Sequence, residues 1–538
     1  MIRPVSDPVG LEVRWDRLAA ATDEAASTML RTAFSTIIRE SNDYTVVLMD
    51  RAGRTMAESR AGTPAFAALM SSLTALVLER FPADEWQDGD SVITNDPWIA
   101  TGHLPDIAMI SPVFHRGRLV AAAAVARTLG EQDVVSFDMG GTTAKIAVVQ
   151  GSRPRLTHDF EAGRVDKFKP GSGLPVRLTV VDMIEIGSGG GWIAAPDALG
   201  LLKVGPRSAG SVPGPVAYGR GGERPTVTDA DLLLGCLDAE NFLGGEMRLR
   251  TREAHKALTR EVAGPLGLDT ADAAAGIVEV VTESMAAARM HLSERGKDPA
   301  DFALLAFGGA GPAHAYGLAK SLKMPRVIVP MRAGVMSACG LLAAAPTVDE
   351  VRSLPSPLAD VDWDQVTALY DEMTSRATET LQPGDPRLVR VRRSADMRYL
   401  GQGFEIEVGV PEQDLGPTGL GRVRTAFEST YRAVFGRSLD GAVEVVNWRL
   451  SMQLPGHELS TEGGHARGDE ASRGVRAVYF PGHGLLEATV WNRYELTPGT
   501  ELAGPAIFEE RESSCSLGPD CRIRVTDDLT LVVEVDRA

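Results

Sequence analysis

Apolar residues in the first forty positions recur every three or four residues, which is the spacing of an amphipathic helix. Beyond them the pattern changes to short apolar runs bounded by turn residues, which is typical of strands. A turn centred on Gly53 separates two such runs and predicts a β-hairpin. The predicted elements of this region are a helix within 11–40, strands at 45–49, 55–57 and 91–94, and a helix at 65–80.

From residue 127 onward, apolar strands lead into glycine-rich turns. The strand at 134–137 enters a Gly-Gly turn, and 144–149 is predicted to return as its hairpin partner. The apolar run 304–307 enters a second glycine-rich turn, which a helix at 313–323 follows. Helices are also predicted at 229–236, 251–261 and 271–295. This succession of strands and helices predicts an α/β fold.

The composition becomes more polar after Pro346. Pro355 and Pro357 predict a linker. A helix at 363–381 and strands within 388–410 and 443–453 follow, and 474–535 is a series of short strands that predicts a small β domain. The predicted domains are 1–128, 129–346 and 347–538.

Composition and charge exclude several classes of partner. The chain has 538 residues, enough for two to four domains, and its 44% hydrophobic and 24% charged residues are typical of a globular protein. A net charge of −17 disfavours nucleic acid and anionic membranes as partners. No apolar run is long enough to span a membrane, and the first residues lack a signal-peptide pattern, so a cytoplasmic location is predicted. The four cysteines are scattered without a CxxC pair, which predicts reduced thiols.

The first cluster with chemical potential is Asp96, His103 and Asp106. A histidine and a carboxylate three residues apart after a glycine turn can point at one divalent metal ion, and Asp96 is close enough in sequence to add an oxygen. Spacing alone favours another interpretation of the same residues, a loop held by Asx turns in which His103 is a hydrogen-bond partner. Both interpretations stay open.

A second cluster is the turn formed by Asp138, Gly140, Gly141, Thr142 and Thr143. Adjacent glycines let backbone N–H groups approach a phosphate, and the threonine hydroxyls add donors. The aspartate at the strand end is placed to hold Mg²⁺ or to orient a water. No Gly-Lys-Ser/Thr follows, so this is not a Walker A loop, and an ordinary tight turn is the alternative.

The third cluster is the turn with Gly308, Gly309 and Gly311, which a helix follows. Free N–H groups and the positive helix end favour an anion there. Two such turns far apart in sequence resemble paired loops that clamp a nucleotide between two lobes. Residues 187–191 and 204–210 are candidates for the same cleft or for simple compaction loops, and His314 is interpreted as a packing or polar contact.

These stretches together resemble the hydantoinase/oxoprolinase family. The A-subunit resemblance rests on residues 137–142, 185–194, 210–219, 225–230, 307–312, 395–402 and 504–510, and it covers about 130–535. A further resemblance, to the start of the B subunit, covers residues 7–127 and rests on residues 31–35, 95–97 and 102–106. The resemblance implies a partial actin/sugar-kinase-like ATPase core, an N-terminal α+β fragment and a smaller C-terminal α+β or β domain.

The resemblance also implies an activity and its cofactors. Family members use ATP to open cyclic amides such as hydantoins or 5-oxoproline, and related ones carboxylate acetone or acetophenone. For this chain it implies ATP and Mg²⁺, with Asp138 catalytic, the 140–143 turn on phosphate and the 308–311 turn on the nucleoside side. A second divalent metal, Mn²⁺ or Zn²⁺, is implied at His103 and Asp106. Implied partners are a small cyclic amide and either complete A and B subunits or further copies of the chain.

Two departures from the family pattern change the expected activity. The histidine that completes the metal pair in metal-containing relatives is replaced by Thr128 and Leu129 after Arg127. The family also has an earlier Asp-Gly-Gly-Thr loop on the other lobe, whereas the loop at Asp138 matches the later one. A nucleotide site with donors from one lobe lacks the charge-assisted hydrogen bonds that the other lobe would make to the polyphosphate. A non-catalytic remnant or accessory subunit is therefore the alternative to an active enzyme.

Overall fold

A computed structural model describes most of the chain. The described residues are 7–32, 44–50, 53–60, 64–82, 85–87, 90–94, 108–115, 118–122, 133–150, 153–154, 156–162, 174–293, 297–403, 405–411, 419–435, 437–455 and 471–536.

The helices and strands are numbered in chain order. The helices are α1 (Pro8–Thr32), α2 (Pro64–Arg80), α3 (Val227–Leu233), α4 (Thr251–Leu258), α5 (Gly264–Leu266), α6 (Thr270–Ala286), α7 (Ala288–Ser293), α8 (Gly311–Leu322), α9 (Met336–Ala343), α10 (Trp363–Leu381) and α11 (Gly419–Phe435). The strands are β1 (Val47–Met49), β2 (Thr55–Glu58), β3 (Val92–Thr94), β4 (Ala108–Ile110), β5 (Pro112–His115), β6 (Arg118–Ala122), β7 (Asp133–Met139), β8 (Ala144–Gln150), β9 (Arg153–Pro154), β10 (Leu156–Ala162), β11 (Leu174–Val181), β12 (Met183–Ile186), β13 (Trp192–Pro196), β14 (Leu202–Ser208), β15 (Phe302–Phe307), β16 (Arg326–Val329), β17 (Thr347–Pro357), β18 (Arg390–Tyr399), β19 (Ile406–Gly409), β20 (Val443–Gln453), β21 (Ser472–Phe480), β22 (Gly484–Asn492), β23 (Glu501–Ala503), β24 (Ala506–Glu509), β25 (Ser514–Leu517), β26 (Cys521–Val525) and β27 (Leu531–Val535).

Nine strands of the described chain form one mixed sheet, in the order β12-β8-β7-β15-β16-β27-β26-β23 with β9 paired to β8. Strands β7, β15 and β16 are mutually parallel, and α8 makes the crossover from β15 to β16. The two faces are apolar, and Phe137, Leu304 and Val327 are fully buried in them. Each such side chain stabilises the fold by about 1.5–3 kcal/mol, so this sheet is the rigid base of the candidate site.

Helix α1 packs on the same core as the large sheet. Val13 belongs to that core, and a methyl group on Gly276 of α6 would lie 2.5 Å from Val9. Glu12 forms an ion pair with Lys203, and Arg17 Nη2 lies 2.6 Å from Glu283 Oε1. The amphipathic helix predicted within 11–40 is therefore confirmed for its described part, which buries Val13, Ala19 and Ala25 and leaves Leu11 and Trp15 exposed.

The packing of α1 on the core depends on pH through the carboxyl group of Asp16. Burial, together with Glu12 and Glu283, raises its pKa from the ordinary 3.8 to about 6. Between pH 3.8 and about 6 the folded chain holds a proton on Asp16 that the unfolded chain has released. The contribution of Asp16 to the free energy of unfolding is therefore present at low pH and lost as pH rises through 6. We expect Asp16→Asn to stabilise the chain at pH 7.5 by about 1–2 kcal/mol, since solvent screening reduces the effect of the full shift.

Urea unfolding at pH 4.5 and pH 7.5 measures this difference. The gain should shrink at the lower pH, because wild-type Asp16 is then protonated in the fold. Asp371→Asn on α10 is the matched control, since Asp371 is an exposed helical aspartate. Equal effects of Asp16→Asn at both pH values would contradict the prediction.

A second compact unit is built from the described part of Ala338–Ser460. Its sheet has the order β17-β20-β18-β19, and α10 and α11 supply apolar side chains to its core, in which Trp448, Tyr370 and Phe427 are buried. The predicted linker at Pro355 and Pro357 is wrong, because both residues lie in β17. An edge strand tolerates proline, since one side of it needs no ladder hydrogen bonds.

Two further predictions need correction. The helix predicted at 271–295 is divided into α6 and α7, with Ala287 between them. The segment 474–535 is a series of short strands as predicted, but it does not form a separate β domain. Strands β23, β26 and β27 complete the nine-stranded sheet, and the described residues 471–536 group with the first compact unit.

Several other predicted elements are confirmed. The hairpins of β1 with β2 and of β7 with β8 are antiparallel as expected, and α2 and α10 match their predicted ranges. All four cysteines are free thiols. None of the described helices combines the length and apolar character that a bilayer crossing requires.

Candidate functional site

The two glycine-rich turns predicted from sequence lie beside each other at one edge of the large sheet. Strands β7 and β15 are parallel neighbours, with Asp138 paired to Phe307, so both turns leave the sheet at the carboxyl ends of their strands. Gly308 has φ +87°, and a methyl group there would lie 2.5 Å from Asp138 Oδ1. The N–H of Ala310 donates to the carbonyl of Met139 at 3.0 Å. The turns therefore form one wall and are not opposed across a cleft.

A third glycine segment, 187–191, packs on the first turn. The N–H groups of Gly190 and Gly191 donate to the carbonyls of Gly140 and Gly141 at 3.0 and 2.7 Å. A methyl group on Gly189 would lie 2.6 Å from the backbone nitrogen of Thr142, which explains why no larger residue fits. The sequence treated this segment as either a cleft lining or a compaction loop, and the structure brings it to the cleft.

The first turn presents open backbone toward the solvent side of this wall. The N–H groups of Gly141, Thr142 and Gly309 have no acceptor within the described part of the chain. Methyl groups built on Gly140 and Gly141 meet no atom within 4 Å. Unused donors, open space and the N-terminus of α8 at Gly311 are features that suit a phosphate group.

Asp138 lies at the start of the first turn and has a fixed position. Ser337 Oγ, on α9, donates to Asp138 Oδ2 at 2.9 Å. Its other oxygen lies in the space that Gly308 leaves open. The carboxylate is half-buried, and it lies two residues before the open glycines of the turn. Thr143 contributes the carbonyl that accepts the N–H of Gly140 and closes the turn.

One cavity of about 190 Å³ joins the glycine wall to a more varied lining. Gly140, Gly141, Gly190 and Gly309 contribute the glycine wall. The other lining residues include the aromatic pair Tyr218 and Phe242, the polar residues Asp231 and Asn241, and the segment 509–514. Sequence reasoning missed Asp231, Asn241 and Glu510 as site residues. The motif at 225–230 was the nearest signal, because it precedes Asp231 directly.

The short helix α3 explains how Asp231 reaches the cavity. Thr226 caps α3, and Asp229 Oδ2 accepts the N–H of Thr226 at 2.8 Å in a reciprocal capping box. Thr228 Oγ1 donates to the carbonyl of Gly190 at 2.9 Å, which fixes the helix against the third glycine segment. Asp231 lies three residues later on the same helical face and therefore points to the same side.

Buried charge supports the wall formed by residues 509–514. Glu510 Oε1 lies 2.8 Å from Arg493 Nη1, and both side chains are 1% exposed. Glu510 also accepts the N–H groups of Arg332 and Ala333. Burial raises the pKa of Glu510 while Arg493 opposes the rise, and burial lowers the pKa of Arg493. The paired carboxylate holds this wall against the turn that follows β16.

The predicted metal ligands Asp96, His103 and Asp106 lie outside the described residues. Within the parts of the chain that the structure describes, no group of three or more histidine, cysteine and acidic side chains is arranged to hold a metal ion. Asp138 is the described carboxylate that adjoins the open glycine turn, so it is the candidate for a metal ion that accompanies phosphate.

Comparison with known proteins bears directly on this arrangement. The profile of the family described as Hydantoinase/oxoprolinase matches residues 116–350, and that of its C-terminal domain matches 359–531. The profile described as Hydantoinase B/oxoprolinase matches residues 7–143. The chain belongs to the hydantoinase/oxoprolinase family. The resemblance seen in the sequence is therefore confirmed for both its A-type and its B-type parts.

Relatives of this hydantoinase/oxoprolinase chain are subunits of larger enzymes. It is 34% identical to the caprolactamase subunit alpha of Pseudomonas jessenii, over 76% of this chain and 59% of that subunit. It is 33% identical to the acetophenone carboxylase gamma subunit of Aromatoleum aromaticum, over 78% of this chain and 59% of that subunit. The crystal structure of the ATP-dependent caprolactamase from Pseudomonas jessenii superimposes with a TM-score of 0.62 at 31% identity, over 76% of this chain and 59% of that one.

These comparisons fix the fold class as mixed α/β. The chain spans about six tenths of the length of the caprolactamase and acetophenone carboxylase subunits that it matches. The matches to the A-type and B-type profiles overlap at residues 116–143, where the first glycine turn lies.

Proposed function

We propose that this hydantoinase/oxoprolinase chain binds ATP at its glycine wall and supports the ATP-dependent hydrolysis of a cyclic amide. The observation that carries the proposal is the convergence of three glycine segments, 138–143, 187–191 and 308–311, on one cavity. The related caprolactamase from Pseudomonas jessenii is ATP-dependent, which supports the same assignment.

The roles of the residues follow from their positions. The open N–H groups of Gly141 and Thr142 approach phosphate oxygens, with Gly140 keeping the turn free of side chains and the hydroxyls of Thr142 and Thr143 beside it. Gly308, Gly309 and Gly311 shape the neighbouring turn on the nucleoside side and expose the end of α8. Asp138 would hold the Mg²⁺ that accompanies the phosphate groups. ATP supplies the phosphoryl group that activates the amide carbonyl.

The wider assignments of the sequence stay proposals. The first is an actin/sugar-kinase-like core that contributes one of two walls around the phosphate groups. The second is the division of the chain into domains at 128/129 and 346/347. The third is a second divalent metal ion, Mn²⁺ or Zn²⁺, at Asp96, His103 and Asp106. A complete site then needs donors from a second lobe. We propose that complete A and B subunits, or other copies of this chain, supply them, since the relatives are named as subunits.

A second candidate activity is carboxylation. The acetophenone carboxylase gamma subunit is nearly as similar to this chain as the caprolactamase subunit is, 33% against 34% identity. A carboxylase would consume ATP with bicarbonate and a ketone, and a non-catalytic accessory chain would not release phosphate with either substrate set.

Calorimetry and phosphate release distinguish these candidates. Mg·ATP is titrated into the chain, and phosphate is then measured with caprolactam, hydantoin or 5-oxoproline, and separately with bicarbonate plus acetophenone. Substrate-stimulated release with a cyclic amide supports the hydrolase, and release that requires bicarbonate and ketone supports the carboxylase. Absence of heat at millimolar ATP would contradict nucleotide binding by this chain.

Gly141→Ala tests the phosphate contact without disturbing the fold. The added methyl meets no protein atom within 4 Å, and Gly141 does not require a positive φ, so the melting temperature should stay at the wild-type value. The same methyl stands where a phosphate oxygen would approach the open N–H. We expect the affinity for Mg·ATP to fall about 10- to 100-fold by calorimetry, the loss of one or two charge-assisted hydrogen bonds.

Gly384→Ala is the matched control, because its methyl is equally unobstructed but lies in the second compact unit. Its affinity for Mg·ATP should equal that of the wild type. Unchanged binding by Gly141→Ala would remove the first turn from the nucleotide site.

A further inference from the structure

Two buried side chains beside the cavity form a pair that the proposed function does not use. His314 Nε2 lies 3.1 Å from Asp231 Oδ2, and the side chains are 1% and 5% exposed. Asp231 comes from α3 and lines the cavity, whereas His314 comes from the first turn of α8, directly behind the second glycine turn. The pair therefore connects two of the elements that carry the glycine wall.

The electrostatics of the pair are unusual for a structural contact. Burial lowers the pKa of His314, but the adjacent Asp231 outweighs it and leaves the pKa raised. The N-terminal end of α8 also disfavours a cation, so Asp231 is the group that raises the pKa of the ring. His314 Nδ1 has no hydrogen-bond partner among the described residues. A buried polar atom without a partner costs about 1–3 kcal/mol.

Asp231 differs from the other described carboxylates of the cavity lining in its partner. Asp238, Glu509, Glu510 and Glu512 each lie within 4.0 Å of an arginine nitrogen, whereas Asp231 contacts a histidine. Tyr218 and Cys236 also lie near Asp231, with Arg476 near Cys236. Burial raises the pKa of Cys236 to about 12 and also raises the pKa of Tyr218, so both stay protonated. Asp229 accepts the N–H groups of Val216, Ala217 and Thr226 and is fully occupied.

We propose that Asp231 is the proton acceptor for the water that attacks the activated carbonyl carbon, and that His314 is its positioning residue. This inference rests on the proposed ATP-dependent hydrolysis. Asp231 faces the cavity with one oxygen held by His314, in the arrangement in which a base is oriented by a third group.

A carbon–oxygen bond forms between water and the activated carbon, and the ring carbon–nitrogen bond breaks. The nitrogen, which released its own proton to solvent when the carbonyl oxygen was phosphorylated, receives both protons of the water, so the products of this step are an amine and an acyl phosphate. Asp231 carries these protons one at a time, and His314 orients it. A second water then cleaves the acyl phosphate to a carboxylate and inorganic phosphate, which is the product that the assay measures.

Asp231→Asn and His314→Gln test the pair. Asp231→Asn should bind Mg·ATP within about threefold of the wild type in calorimetry but release phosphate with caprolactam about 100-fold more slowly. His314→Gln retains a donor to Asp231 but removes the titratable ring. The acidic limb of the rate profile between pH 5.5 and 9.5 should therefore change its position. A merely structural pair would lower stability and leave the position of that limb unchanged.

Asp396→Asn is the matched control, since Asp396 forms a buried ion pair with Arg449 in the second compact unit. It should lower the melting temperature and leave both the rate and its pH profile at wild-type values. If Asp231→Asn releases phosphate at the wild-type rate, or if His314→Gln keeps the wild-type pH profile, the proposal is overturned.

A second readout keeps this inference separable from the proposed function. NMR of the histidine rings follows His314, assigned by its loss in His314→Gln, while Mg·ATP and caprolactam are added to the wild-type chain. A change at His314 that Asp231→Asn abolishes supports a pair that responds to ligand. An unchanged His314 resonance with ligand bound identifies a structural contact and overturns the proposal. Absence of Mg·ATP binding in calorimetry is the separate result that defeats the proposed function, and this inference with it.

Discussion

Asp138→Asn should reduce substrate-stimulated phosphate release about 10²- to 10⁴-fold, because the substitution removes the charge that holds Mg²⁺ or orients water while keeping the shape of the side chain. The position of the side chain should survive, since the amide still accepts from Ser337 and still fits the space beside Gly308. The melting temperature should change little. Rates are measured by phosphate release at saturating Mg·ATP, and affinity is measured by calorimetry.

The matched control is Asp528→Asn. Asp528 accepts hydroxyl hydrogen bonds from Thr526 and Thr530 in the turn between β26 and β27, so it resembles Asp138 in its contacts. It lies between β26 and β27 and not at one of the glycine turns. Asp528→Asn should keep the wild-type rate. A wild-type rate in Asp138→Asn would show that this carboxylate has no part in phosphate chemistry.

Arg493→Met should lower the free energy of unfolding by about 3–5 kcal/mol, because it leaves the carboxylate of Glu510 buried without its cation. Arg493 is 1% exposed and also donates to the carbonyls of Val329 and Leu529, so three acceptors lose their donor. Denaturant unfolding measures the loss.

The double variant Arg493→Met, Glu510→Gln should recover part of the stability, because the second change removes the uncompensated charge. The control is Arg248→Met, which removes the partner of Glu240 in an exposed pair and should cost less than about 1 kcal/mol. If Arg248→Met lowers the free energy of unfolding as much as Arg493→Met does, the assignment of a buried, stabilising pair is contradicted.

Local pattern was enough to predict the elements that carry the glycine turns. Strands β7, β8 and β15 and helix α8 were predicted from apolar runs that end at glycines, and the structure confirms them. The reason is that the side-chain period and the glycine positions act within a few residues. The division of the helix at 271–295 was missed, because no glycine or proline marks the break at Ala287.

The other cavity residues could not be predicted in the same way. Asp231 and His314 are 83 residues apart, and their contact depends on the packing of α3 against α8 through the third glycine segment. Glu510 reaches the site because 509–514 follows β24, in a segment that appeared to belong to a separate β domain. Pairing between distant strands depends on burial of both faces, which no local period encodes.

The family, the α/β class and the strand-and-turn structure at 138–143 and 308–311 could be predicted from the amino-acid sequence. That these turns share one wall, that 187–191 completes it and that the last strands return to the same sheet is seen only in the folded chain. The difference lies in the distance along the chain over which each property is encoded. Backbone freedom and side-chain period are properties of neighbouring residues, whereas a cavity is formed by residues that the burial of apolar surface brings together from across the chain.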